Sequence, residues 1–154
     1  MASDFMRPRL SHDFEQALRA VMTRRVFPTG ATIYEHGNTA EGIYLLETGA
    51  VRVSLPLSDT QTQLLEVAGA GAILGLSESL SGEHYRVTAE AEETTTTSFI
   101  TSKEFVELLE TRHDFCIQVV RMLSENLHGL YHRFRSVSAH PGRPRRRVLD
   151  EELN

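Results

Sequence analysis

The sequence predicts an α+β chain, mainly β, in which a roll or barrel of short strands is followed by a helical final third. Three observations carry this. Between Val26 and Ile100, short apolar or β-branched runs are broken by turn residues at about 8–12-residue intervals, which suits antiparallel strands and not βαβ units. From Ser102 onward the apolar residues recur at helical steps. The 154 residues, 40% hydrophobic and 24% charged, suffice for one domain with a real core.

Asp13 to Met22 carries Phe14, Ala17, Leu18, Val21 and Met22 at helical spacing and reads as a short N-terminal helix. Phe27-Pro28-Thr29-Gly30 and His36-Gly37-Asn38 are turn signals around the apolar run Ala31 to Tyr34. Ile43 to Leu46 reads as a buried strand, turned by Glu47-Thr48-Gly49. Val51, Val53 and Leu55 then alternate with Arg52 and Ser54, the period of a half-buried strand. Asp59-Thr60-Gln61 turns the chain, and Gln63 to Val67 returns. Arg86 to Ala91 and Thr94 to Ile100 are further strands, the threonine run being β-branched.

Ser102, as N-cap, with Phe105, Leu108 and Leu109 opens an amphipathic helix. Cys116, Val120, Leu123, Leu127, Leu130, Phe134 and Val137 then recur at alternating steps of four and three. Such a seam suits a parallel helix pair in a homodimer, with Val120 to Val137 as its interface; the other reading docks the stripe on the chain's own barrel. The chain thus divides into an N-terminal helical segment (1–25), a β-roll (26–101), a helical pair (102–138) and a basic tail (139–154). The tail holds Arg143, Arg145, Arg146 and Arg147 and has the composition of a disordered, solvated segment, or of a contact for nucleic acid or an acidic partner.

Composition excludes several classes. A net charge of -5 argues against the main body being a nucleic-acid surface. The lone Cys116 rules out a disulfide framework within one chain. No signal peptide and no apolar run near ~18 residues is present, so the expectation is a cytoplasmic protein without membrane contact. His128 and His132 are four apart on a helix without a third ligand, and read as solvated histidines and not as a metal site. Ser77 and Ser81 have no base nearby and Glu92-Glu93 reads as a turn, so no catalytic constellation emerges.

The segment Gly71 to Ala91 is the candidate site. Glycines 71 and 75 end one extended run, a helical turn follows, and Gly82 precedes Arg86. Amides freed at a helix start and a guanidinium are the parts of a phosphate cradle. Arg86 also reads as a partner of Glu83.

The ordered set Phe27 to Ile33, Gly37, Ile43 to Val53, Gly71 to Ala91 and the long last helix resembles the effector domain of the CRP/FNR family, over roughly residues 14 to 138. The resemblance implies a cyclic-nucleotide-binding-like jelly roll, a double-stranded β-helix of eight strands with flanking helices and a dimerising helix. It implies a ligand site at Gly75, Leu76, Ser77, Glu78, Tyr85, Arg86, Val87, Thr88, Leu130 and Tyr131, and a cyclic nucleotide as ligand.

Three departures stand out. Leu76 occupies the position of the family's ribose-binding glutamate, with Glu78 two residues on. The phosphate arginine aligns at Tyr85 in one register and at Arg86 in the other. Sixteen residues follow Ser138, too few for the family's helix-turn-helix DNA-binding domain, so the expectation is either a stand-alone sensor domain or a shortened piece of a longer regulator.

Two functions follow as expectations. One is a non-enzymatic sensor that binds a cyclic nucleotide or another small anion in the roll and signals through the dimer helix. The other is a scaffold that has lost the nucleotide and pairs with a partner regulator. His84 as a haem ligand is a third, lesser expectation.

Overall fold

A computed structural model describes residues 10–138, with side chains through residue 125. Eight antiparallel strands form two four-stranded sheets that face one another as a roll. One sheet has the order β1 (Thr23–Phe27), β8 (Thr95–Thr101), β3 (Gly42–Thr48), β6 (Ile73–Leu74). The other has the order β2 (Thr32–Tyr34), β7 (Thr88–Ala91), β4 (Val51–Pro56), β5 (Thr62–Ala68). Helices α1 (His12–Val21), α3 (Ser102–Thr111) and α4 (His113–Ser138) flank the roll, and α2 (Leu76–Ser81) follows β6.

The strand patterns explain the layering. Five consecutive residues of β3 are buried because both of its faces are covered. Tyr44 and Leu46 point into the roll, whereas Ile43 belongs to a second apolar cluster beneath the helices. In β4, Val51 and Val53 are buried and Arg52 is exposed, but a bulge at Val53/Ser54 turns Ser54 inward as well. Along β5 the alternation is lost: Leu64, Leu65 and Val67 are 45%, 46% and 45% exposed, on a strand paired only with β4.

The helices attach by specific contacts. Ser11 caps α1, its hydroxyl accepting from the Phe14 N–H at 3.2 Å. The Phe14 ring lies flat against Phe115 of α4, with centroids 4.4 Å apart. Arg19 donates to the Glu47 carboxylate at 2.7 Å, and the Ser98 hydroxyl donates to the same carboxylate at 2.6 Å. Phe115, Val119 and Met122 are the buried stripe of α4. An apolar cavity of about 30 Å³ remains between this layer and the sheet, lined among others by Leu76, Ile73, Val119 and Met122.

Three elements differ from the sequence expectation. β1 begins at Thr23, where the adjacent cations Arg24 and Arg25 lie in a run, Thr23 to Val26, that is exposed throughout and offers no apolar alternation. The N-cap of α3 is Thr101, not Ser102. Thr101 accepts from the Glu104 N–H at 3.1 Å and donates to its carboxylate at 3.0 Å, while the Ser102 hydroxyl bonds the Ala40 carbonyl. β7 starts at Thr88 and not Arg86, since Tyr85 to Val87 stay in the connecting loop.

Candidate ligand-binding site

The site is built where β6 ends. Gly75 takes a left-handed conformation, φ +83°, that turns the chain from β6 into α2. A Cβ there would lie 3.0 Å from both the Gly42 carbonyl oxygen and the Tyr85 ring, so glycine also meets a close approach. On β3, Gly42 is equally constrained: a Cβ would collide with the Ile100 carbonyl and lie 2.7 Å from the Phe99 ring. Leu76, at the position of the expected sugar-binding acid, is buried in the helix-side cluster. Ser77 is exposed, and Ser79 is buried with a hydroxyl that finds no partner among the described residues.

The structure separates Tyr85 and Arg86 to opposite sides. Tyr85 points into the roll and is 3% exposed. Its ring stacks on Tyr34, with centroids 3.9 Å apart. Its hydroxyl donates to the Gly42 carbonyl at 2.8 Å and accepts from the Gly42 N–H at 3.2 Å. The β3–β6 pairing extends only to Tyr44↔Leu74, so the phenol takes both Gly42 groups past the end of the ladder. The backbone holds it there: the Tyr85 N–H donates to Asn38 and its carbonyl accepts from Gly37. Burial pushes the Tyr85 phenol up to about 12. Tyr34 is raised well above its ordinary range, by burial first and then by the Glu78 carboxylate.

Arg86 lies outside, with its side chain 71% exposed and its guanidinium 2.6 Å from the Glu83 carboxylate. Its backbone N–H donates to Glu78 at 3.2 Å. The loop arginine is thus already matched by two glutamates. Val87 packs against the roll core, and the Thr88 hydroxyl accepts from the His36 N–H. Leu130 and Tyr131 fall on α4, where their side chains lie outside the described residues.

The seam residues divide in the same way. Val120 is 51% exposed, as is Ile117 at 48%, whereas Leu123 packs partly against the helix-side cluster. The side chains of Leu127, His128, His132, Phe134 and Val137, and all of the basic cluster 143–147, lie outside the described residues.

Sequence reasoning missed how the roll is filled. Tyr34, Tyr44, Tyr85 and Phe99 form one aromatic group, with Tyr44–Phe99 centroids 4.8 Å apart. Arg25 stacks on its end, the guanidinium carbon 3.7 Å from the Phe99 centroid, and donates to the Tyr44 hydroxyl at 3.0 Å. Tyr44 is raised by burial, an effect that Arg25 opposes. No apolar alternation in the sequence marks β1, since Thr23 to Val26 are all exposed. As folded, the interior offers aromatic surface and phenols, with the Gly42 groups already bonded.

A family model described as the cyclic nucleotide-binding domain matches residues 24–112. No curated protein matches the chain. Among solved structures, the catabolite activator protein of Thermus thermophilus is similar at 20% identity and a TM-score of 0.74, over 84% of this chain and 61% of that one. This chain therefore spans about three fifths of that relative. A cyclic nucleotide-binding domain from Methylobacillus flagellatus is similar at 20% identity and a TM-score of 0.73, covering 88% of this chain and 78% of that one. The sensor domain of the transcriptional regulator DNR from Pseudomonas aeruginosa gives 22% identity and a TM-score of 0.67, over 80% and 83% of the two chains. At these identities the likeness is one of fold.

Proposed function

This chain belongs to the cyclic nucleotide-binding domain family, and from that premise we propose that it is a non-enzymatic sensory domain of the CRP/FNR type. It takes a small anionic effector at the roll and passes the signal through α4 to a second copy. The supporting observation is a shared core. Leu76, the first residue of α2, is buried in the same cluster as Val119 and Met122 of α4. A ligand that shifts the loop must repack that cluster, and packed clusters switch between discrete arrangements. The face of α4 that carries Ile117 and Val120 remains open for pairing while the Phe115–Val119–Met122 stripe holds the roll.

Tyr85 favours a second reading, the scaffold that has lost nucleotide binding. Its ring fills the roll and its hydroxyl already bonds the Gly42 N–H and carbonyl. A cyclic nucleotide inside the roll has to displace it.

Thermal melts with cyclic AMP, cyclic GMP and cyclic dinucleotides separate the two. A ligand-dependent rise in Tm that disappears in Arg86→Ala supports sensing at the loop. No rise with any of them, in a protein that remains dimeric by light scattering, supports the scaffold.

A further inference from the structure

Arg25 differs from the paired arginines of the fold. Arg19, Arg52, Arg86 and Arg112 each meet a carboxylate. Among the described residues, none forms an ion pair with Arg25. An aromatic face holds it instead: Phe99 lies under the guanidinium plane at 3.7 Å, and Nη1 donates to the Tyr44 hydroxyl at 3.0 Å. Stacking consumes the face of a guanidinium and leaves its edge donors in plane, aimed away from the ring.

The guanidinium is accessible, whereas Tyr44 beneath it is 2% exposed. Among the described residues β1 pairs only with β8, so Arg25 stands on the open edge of its sheet, and it is exposed. The side chain is already fixed by stacking, which lowers the ordering cost of binding. Apolar rings behind the charge keep water from one side and strengthen the attraction on the other.

We infer that Arg25 forms an oxyanion-binding site at the open edge of the roll, which takes a carboxylate or phosphate group on the edge of its guanidinium, the Tyr44 phenol and the Phe99 ring holding that guanidinium in place. The residues come from β1 and β3, with Phe99 of β8 beneath, so the site stands apart from the Gly75–Arg86 loop and does not depend on the reading given to that loop. It meets the loop through rings, since Tyr44 lies 6.0 Å from Tyr34 and Tyr34 stacks on Tyr85, and through β3, whose Gly42 bonds the Tyr85 hydroxyl.

The test is a titration of arginine-¹⁵N-labelled protein with sodium phosphate and, separately, sodium succinate, at ionic strength held constant with sodium chloride. The Arg25 Nε–H resonance, assigned from Arg25→Lys, is expected to shift and saturate. Affinity is expected to fall about tenfold or more in Arg25→Gln, the scale of losing a charge-assisted hydrogen-bonded pair. Tyr44→Phe keeps the ring and is expected to lose about threefold or more. Saturation by phosphate alone or by succinate alone supports the site and names its ligand chemistry. A shift that never saturates, or that chloride reproduces, overturns the inference. So does affinity unchanged in Arg25→Gln, or in Tyr44→Phe should the first variant fail to fold.

Discussion

Replacing Tyr85 by phenylalanine removes one oxygen and leaves the ring stacked on Tyr34, so the change isolates the hydroxyl. That hydroxyl makes two hydrogen bonds to buried backbone, to the Gly42 carbonyl at 2.8 Å and from the Gly42 N–H at 3.2 Å. At about 1 kcal/mol for each bond lost, Tyr85→Phe is expected to destabilise the fold by about 2 kcal/mol. For a chain of this length that corresponds to a Tm lower by roughly 4–8 °C. Urea denaturation followed by circular dichroism gives the first number and calorimetry the second.

Alkaline pH provides an independent check. The folded phenol titrates at about 12 against 10.0 for a free one, so the unfolded chain loses this proton first. Stability contributed by Tyr85 is therefore complete below pH 10 and declines as pH rises from 10 to 12. The variant should show a shallower loss over the same window. A destabilisation under about 0.5 kcal/mol, with an unchanged alkaline slope, would refute the clamp on Gly42.

Other substitutions should sort by face and by charge. Val119→Glu is expected to unfold the chain, because it buries a carboxylate in the helix-side cluster. Val120→Glu, one residue away on the exposed face, should leave a folded monomer by analytical ultracentrifugation. Gly75→Ala forces a side chain into a left-handed turn against Gly42 and Tyr85, and should cost about 1–3 kcal/mol in the same urea assay. Glu47 is held below the ordinary carboxylate range, first by its hydrogen bond from Arg19. Its contribution is present above that range and is lost as pH falls through the lowered value, so Arg19→Gln should flatten the acid limb of a stability–pH curve.

The order of elements was readable because each buried strand repeats a simple pattern. Ile43 to Leu46 is a continuous apolar run where both faces are covered, and Val51 and Val53 alternate with Arg52. β1 was not readable, since Thr23 to Val26 are all exposed and the cation at its centre is held by stacking on Phe99 and not by apolar burial. The choice between Tyr85 and Arg86 was equally hidden. One residue decides which side chain faces the interior, and here loop bonds to Asn38 and Gly37 set it, not a strand period. On α4, steps of four and three describe two adjacent stripes. The stripe that docks is Phe115, Val119 and Met122, offset by one from the Cys116–Val120 seam in the first turns.

The open strand β5 has a consequence for handling the protein. Its outer backbone groups run beside Leu64, Leu65 and Val67, branched side chains that are each nearly half exposed. A sheet border of that kind is a template on which another extended chain can add, and native proteins commonly blunt it with lysine or proline. Concentrated samples should therefore associate through this border. A single Leu65→Lys should raise the concentration at which turbidity appears while leaving the circular dichroism spectrum unchanged.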